Sequence, residues 1–149
     1  MSRAVPGTFD ANAASTNGAS YASKTLYLEN DNKIKLNMWD TAGQERYRVL
    51  TTFFINECDS IILGYDVTVP NTFDSIKSFW YKHSKEKSEA DLIYLVGNKI
   101  DLIDDRRVSK DEARQYCEEN NIRYFEISCL TTTGIEDLFI DLKDQLIKR

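Results

Sequence analysis

The sequence predicts an α/β fold, with a doubly wound, mostly parallel sheet and one antiparallel hairpin near its start. Two near-continuous apolar runs, SIILGYDV from Ser60 and LIYLVGNK from Leu92, are typical of strands that are buried on both faces in a parallel sheet. Segments with helical periodicity lie between and after these runs, so strands and helices alternate from Ser60 onward. Such sheets bind ligands at the carboxyl ends of their strands.

Two segments with alternating apolar residues predict the hairpin. KTLYLEND contains Leu26 and Leu28, and KIKLNMWD contains Ile34, Leu36 and Met38 at every second position. The Asn-Asp-Asn turn between them is short and polar, as in a hairpin connection.

The rest of the chain predicts three helices and one more strand. Residues 71–83 carry apolar side chains at helical spacing, and residues 109–120 begin with Ser109 and Glu112, a capping box. RYFEIS, at 123–128, is predicted as a strand. Residues 134–147 place their apolar side chains on one face of a closing helix.

Composition excludes several classes of function. The 149 residues favour one domain, and a net charge of -5, from 24 acidic and 19 basic residues, argues against a nucleic-acid-binding surface. Cys58, Cys117 and Cys129 occur singly, as in a protein from a reducing compartment. We find no apolar run of membrane-spanning length, no signal peptide and no lipidation motif, and we expect no membrane anchor in this chain.

The second strand of the predicted hairpin ends in WDTAGQE, which carries groups suited to phosphate chemistry. The Asp40 carboxylate can hold a magnesium ion, directly or through water. Gly43 lets a backbone N–H approach a terminal phosphate where a side chain would block it. Gln44 has both a donor and an acceptor, which suffices to orient an attacking water.

A later strand ends in GNKID, which carries groups suited to purine recognition. The Asp101 carboxylate can accept from two neighbouring N–H donors, and guanine presents such a pair whereas adenine does not. Asn98 can donate a hydrogen bond to the imidazole-side nitrogen of the purine and can also hold its own loop in place. Lys99 can lay its aliphatic stem along the ring face.

Together, WDTAGQERY, YDVT and GNKIDL resemble the Rab branch of the small GTPases, over nearly the whole chain from about Phe9. The resemblance implies a G-domain that binds GTP or GDP with Mg²⁺ and hydrolyses GTP, with Gln44 as the catalytic residue. It also implies a switch whose affinity for effector and regulator proteins changes with the bound nucleotide, in vesicular membrane traffic and protein transport. It also implies a cytoplasmic protein, with peripheral endomembrane association if the full gene encodes a prenylated tail.

The resemblance extends to further residues. STNGASYASKT is similar to the first switch segment, which implies that Thr16 contacts magnesium and the terminal phosphate. EISCL resembles the loop that usually reads Glu-Thr-Ser-Ala-Lys, so Ser128 and the Cys129 backbone are expected to contact guanine. Leu130 replaces the usual Lys and makes one wall of that pocket apolar.

Three aromatic residues, Tyr21, Trp39 and Phe54, fall where Rab proteins carry an effector-binding triad. Ordinary core packing explains these aromatics equally well at this point.

The family's first strand, P-loop and first helix are not recognised in this sequence. GASYASKT, at 18–25, approaches the pattern G-x-x-x-x-G-K-[ST], but it runs into a strand rather than a helix, and its Lys24 is expected to face solvent. We therefore expect residues 1–15 to be a loop or disordered remnant of the first switch, and residues 16–149 to form an incomplete, N-terminally truncated G-domain with little or no phosphate binding.

In this fold the family's first strand lies in the middle of the sheet, between the strands predicted at residues 33–39 and 60–67. We expect another segment to fill that position, two chains to share strands as a homo-oligomer, or the isolated chain to be marginally folded. Three functional interpretations remain open: a Rab-like GTPase switch, a non-catalytic pseudo-GTPase binding module, and an inactive fragment of a longer Rab.

Overall fold

The computed structural model describes residues 19–28, 32–41 and 48–148, and the described strands form two separate sheets. In the first sheet, β1 (Ala19–Tyr27) pairs antiparallel with β2 (Lys33–Thr41). This confirms the predicted hairpin, although β1 begins at Ala19 rather than at Lys24. The ladder extends that far because Ala19 still pairs with Thr41. The prediction for residues 1–15 lies outside the described residues.

The second sheet is parallel and has the order β3-β4-β5. Its strands are β3 (Ser60–Asp66), β4 (Leu92–Asn98) and β5 (Arg123–Glu126). The central strand β4 is buried at every residue from 92 to 97, as its continuous apolar sequence predicts. The mixed α/β architecture confirms the predicted fold class.

Helices connect and cover these strands. They are α1 (Arg48–Ile55), α2 (Pro70–Ser75), a π-helical segment (Ile76–Trp80), α3 (Tyr81–Lys87), α4 (Lys110–Asn120) and α5 (Ile135–Ile147). The capping box of α4 is confirmed, because the Glu112 backbone N–H donates to Ser109 Oγ at 3.1 Å. The sequence analysis did not identify α1, nor did it predict the π-helical segment inside the predicted helix at 71–83. None of the described helices has the length and apolar character needed to cross a membrane.

Two apolar clusters form the core, one on each side of the parallel sheet. The first includes Ile61 and Leu63 of β3 with Phe73 and Ile76. The second is built on α5 and joins both sheets; its buried members are Leu36, Leu92, Tyr94, Val96, Leu138, Phe139 and Leu142. Burial of each large apolar side chain contributes about 1.5–3 kcal/mol, so α5 makes a large contribution to holding the hairpin on the parallel sheet.

Lys24 does not simply face solvent, and this corrects the sequence-based expectation. Its Nζ lies 4.2 Å from the centroid of the Phe139 ring on α5, and its side chain is half-buried. The long aliphatic stem lets the ammonium reach across the apolar face and make a cation–π contact. Strand alternation alone could not predict this contact between distant elements.

Candidate guanine-binding site

The predicted base-reading residues meet at the carboxyl edge of the parallel sheet. Asn98 ends β4, and Cys129 lies in the loop after β5. Asn98 Oδ1 accepts from two backbone N–H groups, that of Lys99 at 2.7 Å and that of Cys129 at 3.2 Å. One side-chain oxygen therefore fixes the positions of both loops.

A second side-chain contact joins the same two loops. The Ser128 hydroxyl donates to Asp101 Oδ1, and Ser128 is fully buried. The Thr131 backbone N–H in turn donates to Ser128 Oγ at 3.0 Å. The Asp101 carboxylate is therefore held in place from the neighbouring loop.

Lys99 forms an ion pair that the sequence analysis did not predict. Its Nζ lies 2.7 Å from Asp66 Oδ2, and Asp66 Oδ1 accepts from both the backbone N–H and the hydroxyl of Thr68. Burial raises the pKa of Asp66, but the hydrogen bonds from Lys99 and Thr68 outweigh this effect and the pKa lies below its ordinary value. Asp66 belongs to the YDVT segment, so the sequence did contain a signal for it.

Backbone conformation marks the two loops as unusual. Lys99 has φ 68° and Thr132 has φ 66°, both in the left-handed region, although neither is Gly. This region is especially unfavourable for a β-branched residue such as Thr. Strain of this kind persists where surrounding contacts over-determine the conformation, and it clusters at ligand sites.

A partly buried polar network supports the end of β5, directly before the second loop. Glu126 Oε1 accepts from Arg106 Nη1 at 2.8 Å and from the Tyr124 hydroxyl at 2.7 Å, and Tyr124 lies 3.2 Å from the Tyr65 hydroxyl. Burial raises the pKa of Glu126, but the bonds from Arg106 and Tyr124 outweigh it and lower the pKa. Sequence analysis missed this network because Tyr65 and Arg106 are far in the chain from Tyr124 and Glu126.

The remaining predicted site residues do not belong to the hydrogen-bonded contacts described above between these two loops. Leu130 follows Cys129 and is exposed, and Asp40 lies half-buried in β2. Asp40 and Cys129 line one groove between the two sheets. Thr16, Gly43 and Gln44 lie outside the described residues. Within the described part of the chain, no group of three or more His, Cys, Asp or Glu side chains could hold a metal ion.

The three predicted effector-contacting aromatics form a continuous row of ring contacts, called the aromatic stack below, in which Tyr21 is tilted by 51° against Trp39 and Trp39 stacks on Phe54. Ring centroids of Tyr21 and Trp39 lie 4.9 Å apart, and those of Trp39 and Phe54 lie 4.8 Å apart. Tyr21 and Trp39 are each 51% exposed. Tyr21 and Trp39 are therefore not ordinary core residues, while Phe54 is half-buried.

Comparison with known proteins identifies clear relatives. The family model described as Ras family matches residues 1–148. The chain is 38% identical to the Ras-related protein RabJ of Dictyostelium discoideum over 146 residues, which are 97% of this chain and 56% of RabJ. It is 37% identical to the Ras-related protein Rab-1 of Theileria annulata over 145 residues, 97% of this chain and 66% of that protein.

The Ras-related protein Rab-30 of Homo sapiens is 35% identical over 145 residues, 97% of this chain and 71% of Rab-30. The chain thus spans between just over half and about seven tenths of the length of these relatives.

Proposed function

Because this chain belongs to the Ras family, within its Rab branch of small GTPases, we propose that it is a guanine-nucleotide-dependent switch in vesicular membrane traffic. The observation that carries the proposal is the cross-bracing of two loops by Asn98 and Ser128. Such bracing holds the groups that would contact a purine in one place before the ligand arrives.

In this proposal the Asp101 carboxylate accepts from the ring N–H and the exocyclic amine of guanine. Asn98 contacts the imidazole side of the base, and the Cys129 backbone contacts the base from the second loop. Ser128 was expected to touch the base as well, but it is fully buried and would act by holding Asp101. The Lys99 stem lies along one ring face. Leu130, which is 53% exposed, adds apolar surface at the site where the family usually has a cation.

Of the residues proposed for phosphate and metal binding, the structure describes only Asp40. We assign magnesium binding to Thr16 and Asp40, a terminal-phosphate contact to Gly43, and orientation of the attacking water to Gln44. A bound magnesium ion supplies positive charge that neutralises the phosphates. Since the sequence offers no recognisable P-loop, we expect this chain alone to hydrolyse GTP slowly or not at all.

The nucleotide content of the purified protein tests this proposal. The protein is denatured, and released nucleotide is separated by chromatography; stoichiometric GDP or GTP is the expected result for a switch. In parallel, added GTP with magnesium should raise the midpoint of thermal unfolding more than ATP with magnesium does. Absence of bound nucleotide together with equal shifts for GTP and ATP would contradict guanine binding.

A second candidate is a non-catalytic binding module that acts through its surface without turnover. The exposed stack of Tyr21, Trp39 and Phe54 favours it, because rigid aromatic side chains are common anchors at protein interfaces. Effector binding that does not change when nucleotide is removed would favour this module over the switch. Partners in either case would be Rab effectors and regulators.

A further inference from the structure

The polar network at the end of β5 crosses the described parallel sheet from β3 to β5. Its members are Tyr65 of β3, Arg106 of the loop after β4, and Tyr124 and Glu126 of β5. The Tyr65 hydroxyl lies 3.2 Å from that of Tyr124. Since Tyr124 donates its single hydroxyl proton to Glu126, Tyr65 must be the donor in this contact. The hydrogen bonds therefore run in one direction, from β3 to the Glu126 carboxylate.

Gly97 of β4 makes this crossing possible. It is the register partner of Tyr65 in β3 and of Glu126 in β5. A Cβ at Gly97 would lie 2.8 Å from the Tyr65 hydroxyl oxygen and 2.9 Å from Cζ of its ring. The absence of a side chain lets the Tyr65 ring lie across β4 and reach Tyr124. Because Gly97 directly precedes Asn98, the crossing lies next to the predicted base-reading edge of the sheet.

Arg106 closes a ring between the two loops of the candidate site. Its Nη1 donates to Glu126 Oε1 at 2.8 Å, and the Ser128 hydroxyl donates to Asp101 Oδ1. Asp101 and Arg106 belong to the loop after β4, while Ser128 follows Glu126 into the second loop. A displacement of Glu126 is therefore passed on through Ser128 to Asp101. Asn98, by contrast, ends β4 and is fixed by the sheet itself.

The protonation states of the network are constant around neutral pH. Burial, together with the bonds to Tyr65 and Glu126, holds the pKa of Tyr124 above its ordinary value. Although burial raises the pKa of Glu126, the bonds from Arg106 and Tyr124 hold it below its ordinary value. The Tyr124 hydroxyl thus remains a donor and the Glu126 carboxylate remains charged, so their geometry is the same throughout this range.

Net stability alone is a weak reason for such a network. The side chains of Glu126 and Arg106 are only 12% and 25% exposed, so both charges have lost much of their hydration. Replacement of a buried ion pair by apolar residues is often neutral or stabilising. A polar network whose hydrogen bonds are satisfied does, however, rigidify its surroundings in one arrangement. Its contribution here is the position of the groups attached to it.

We propose that the polar network is a positioning device that sets the place of Asp101 relative to Asn98. Its members are positioning residues, since none of them is assigned a contact with the base. This role rests on the proposed function, because Asp101 and Asn98 are the groups proposed to read guanine. Loss of one link lets the two loops shift together against β4. Recognition of the exocyclic amine of guanine by Asp101 then weakens more than binding of the rest of the nucleotide.

Tyr124→Phe and Tyr94→Phe form a matched pair for the test. The Tyr124 hydroxyl donates to Glu126 Oε1 at 2.7 Å, and that of Tyr94 donates to Asp141 Oδ2 at 2.8 Å. Each of these carboxylates also accepts from an arginine at 2.8 Å. The two variants thus lose equivalent bonds at the same sheet, but Asp141 belongs to α5 and to neither loop. Thermal unfolding should show similar losses of stability in both.

Amide hydrogen exchange of the full chain, without added nucleotide, measures how firmly the loops are held. Tyr124→Phe should raise the exchange rates of the Cys129 and Thr131 amides by about tenfold, because a bond to a charged acceptor is lost. Tyr94→Phe should leave both rates unchanged. Tyr65→Phe keeps both bonds to Glu126 and should raise the same rates by a smaller factor.

Titrations with GDP and inosine diphosphate measure the position of Asp101, since inosine lacks the exocyclic amine. In Tyr124→Phe the ratio of the two dissociation constants, inosine diphosphate over GDP, should fall by about fivefold or more. In Tyr94→Phe it should equal that of the wild type. A general loss of structure would weaken both nucleotides alike and leave the ratio unchanged.

Two outcomes would overturn the positioning role. One is equal exchange of the loop amides in Tyr124→Phe and Tyr94→Phe, and the other is an unchanged nucleotide ratio in Tyr124→Phe. A wild-type protein that does not prefer GDP over inosine diphosphate is a separate result. It would contradict the proposed guanine site, and the exchange rates alone would then decide whether the network positions the loops.

Discussion

Lys99 Nζ lies 2.7 Å from Asp66 Oδ2, and this ion pair joins the carboxyl ends of the adjacent strands β3 and β4. The Lys99 side chain is half-exposed, whereas that of Asp66 is only 16% exposed. The pair therefore holds the charged end of Lys99 in place, while the aliphatic stem that we propose to contact the base remains accessible.

Asp66→Asn should destabilise the protein at neutral pH and not at low pH. The folded-state pKa of Asp66 is depressed, so the carboxylate contributes stability above its ordinary pKa of about 3.9, and that contribution is lost as the pH falls through the lower folded value. Because Lys99 is half-exposed, the difference at pH 7 should stay near or below about 1 kcal/mol.

Thermal unfolding of both proteins from pH 7 to pH 2 measures this difference. Asp105→Asn, at an exposed carboxylate in the loop after β4, is the control. A difference between wild type and Asp66→Asn that grows as the pH falls would contradict the assignment.

Asp101→Asn should change the base preference of the protein from guanine to xanthine. The Asn amide offers one acceptor and one donor, which conflicts with the two donors of guanine but matches the N–H and C=O of xanthine. An unpaired buried donor costs about 1–3 kcal/mol, so guanine nucleotide affinity should fall about ten- to a hundredfold. Titrations with GDP and xanthosine diphosphate measure the change. Asp104→Asn, at an exposed carboxylate nearby, should alter neither affinity.

Trp39→Ala should weaken binding of Rab effector domains by about tenfold or more, because Trp39 lies between Tyr21 and Phe54 in the exposed stack. Tyr27→Ala is the matched control, since Tyr27 is a 68% exposed aromatic at the far end of β1. Surface plasmon resonance against a panel of purified effector domains checks the prediction. Equal losses in the two variants would point to a general effect on the hairpin and not to the stack.

Gly134→Ala should destabilise the fold by about 1–3 kcal/mol or more. Gly134 has φ 73°, and a Cβ there would lie 2.2 Å from the Glu126 carbonyl oxygen, a backbone atom that cannot move aside cheaply. The midpoint of thermal unfolding should fall by about 2–4 °C for each kcal/mol lost. Gly64→Ala should change it little, because no atom lies within 4 Å of the added Cβ.

The sequence predicted those features that depend on local pattern. The buried strand β4, the capping box at Ser109 and the position of Asn98 at a strand end all follow from residues that are close in the chain. The ion pair of Lys99 with Asp66 and the contact of Lys24 with Phe139 could not be predicted in this way, because each depends on how distant elements pack. Left-handed backbone at Thr132 was also unpredictable, since surrounding contacts override an unfavourable residue preference.

Helix α5 contributes to a core cluster that takes side chains from both sheets. A two-stranded hairpin alone is marginally stable in water, so the amides of β1 and β2 should owe their protection from solvent exchange to the docking of α5. Local detachment of this one helix would turn a single cooperative unfolding transition into two. The hydrogen-exchange rates of the amides in β1 and β2 therefore report the stability of the docking of α5.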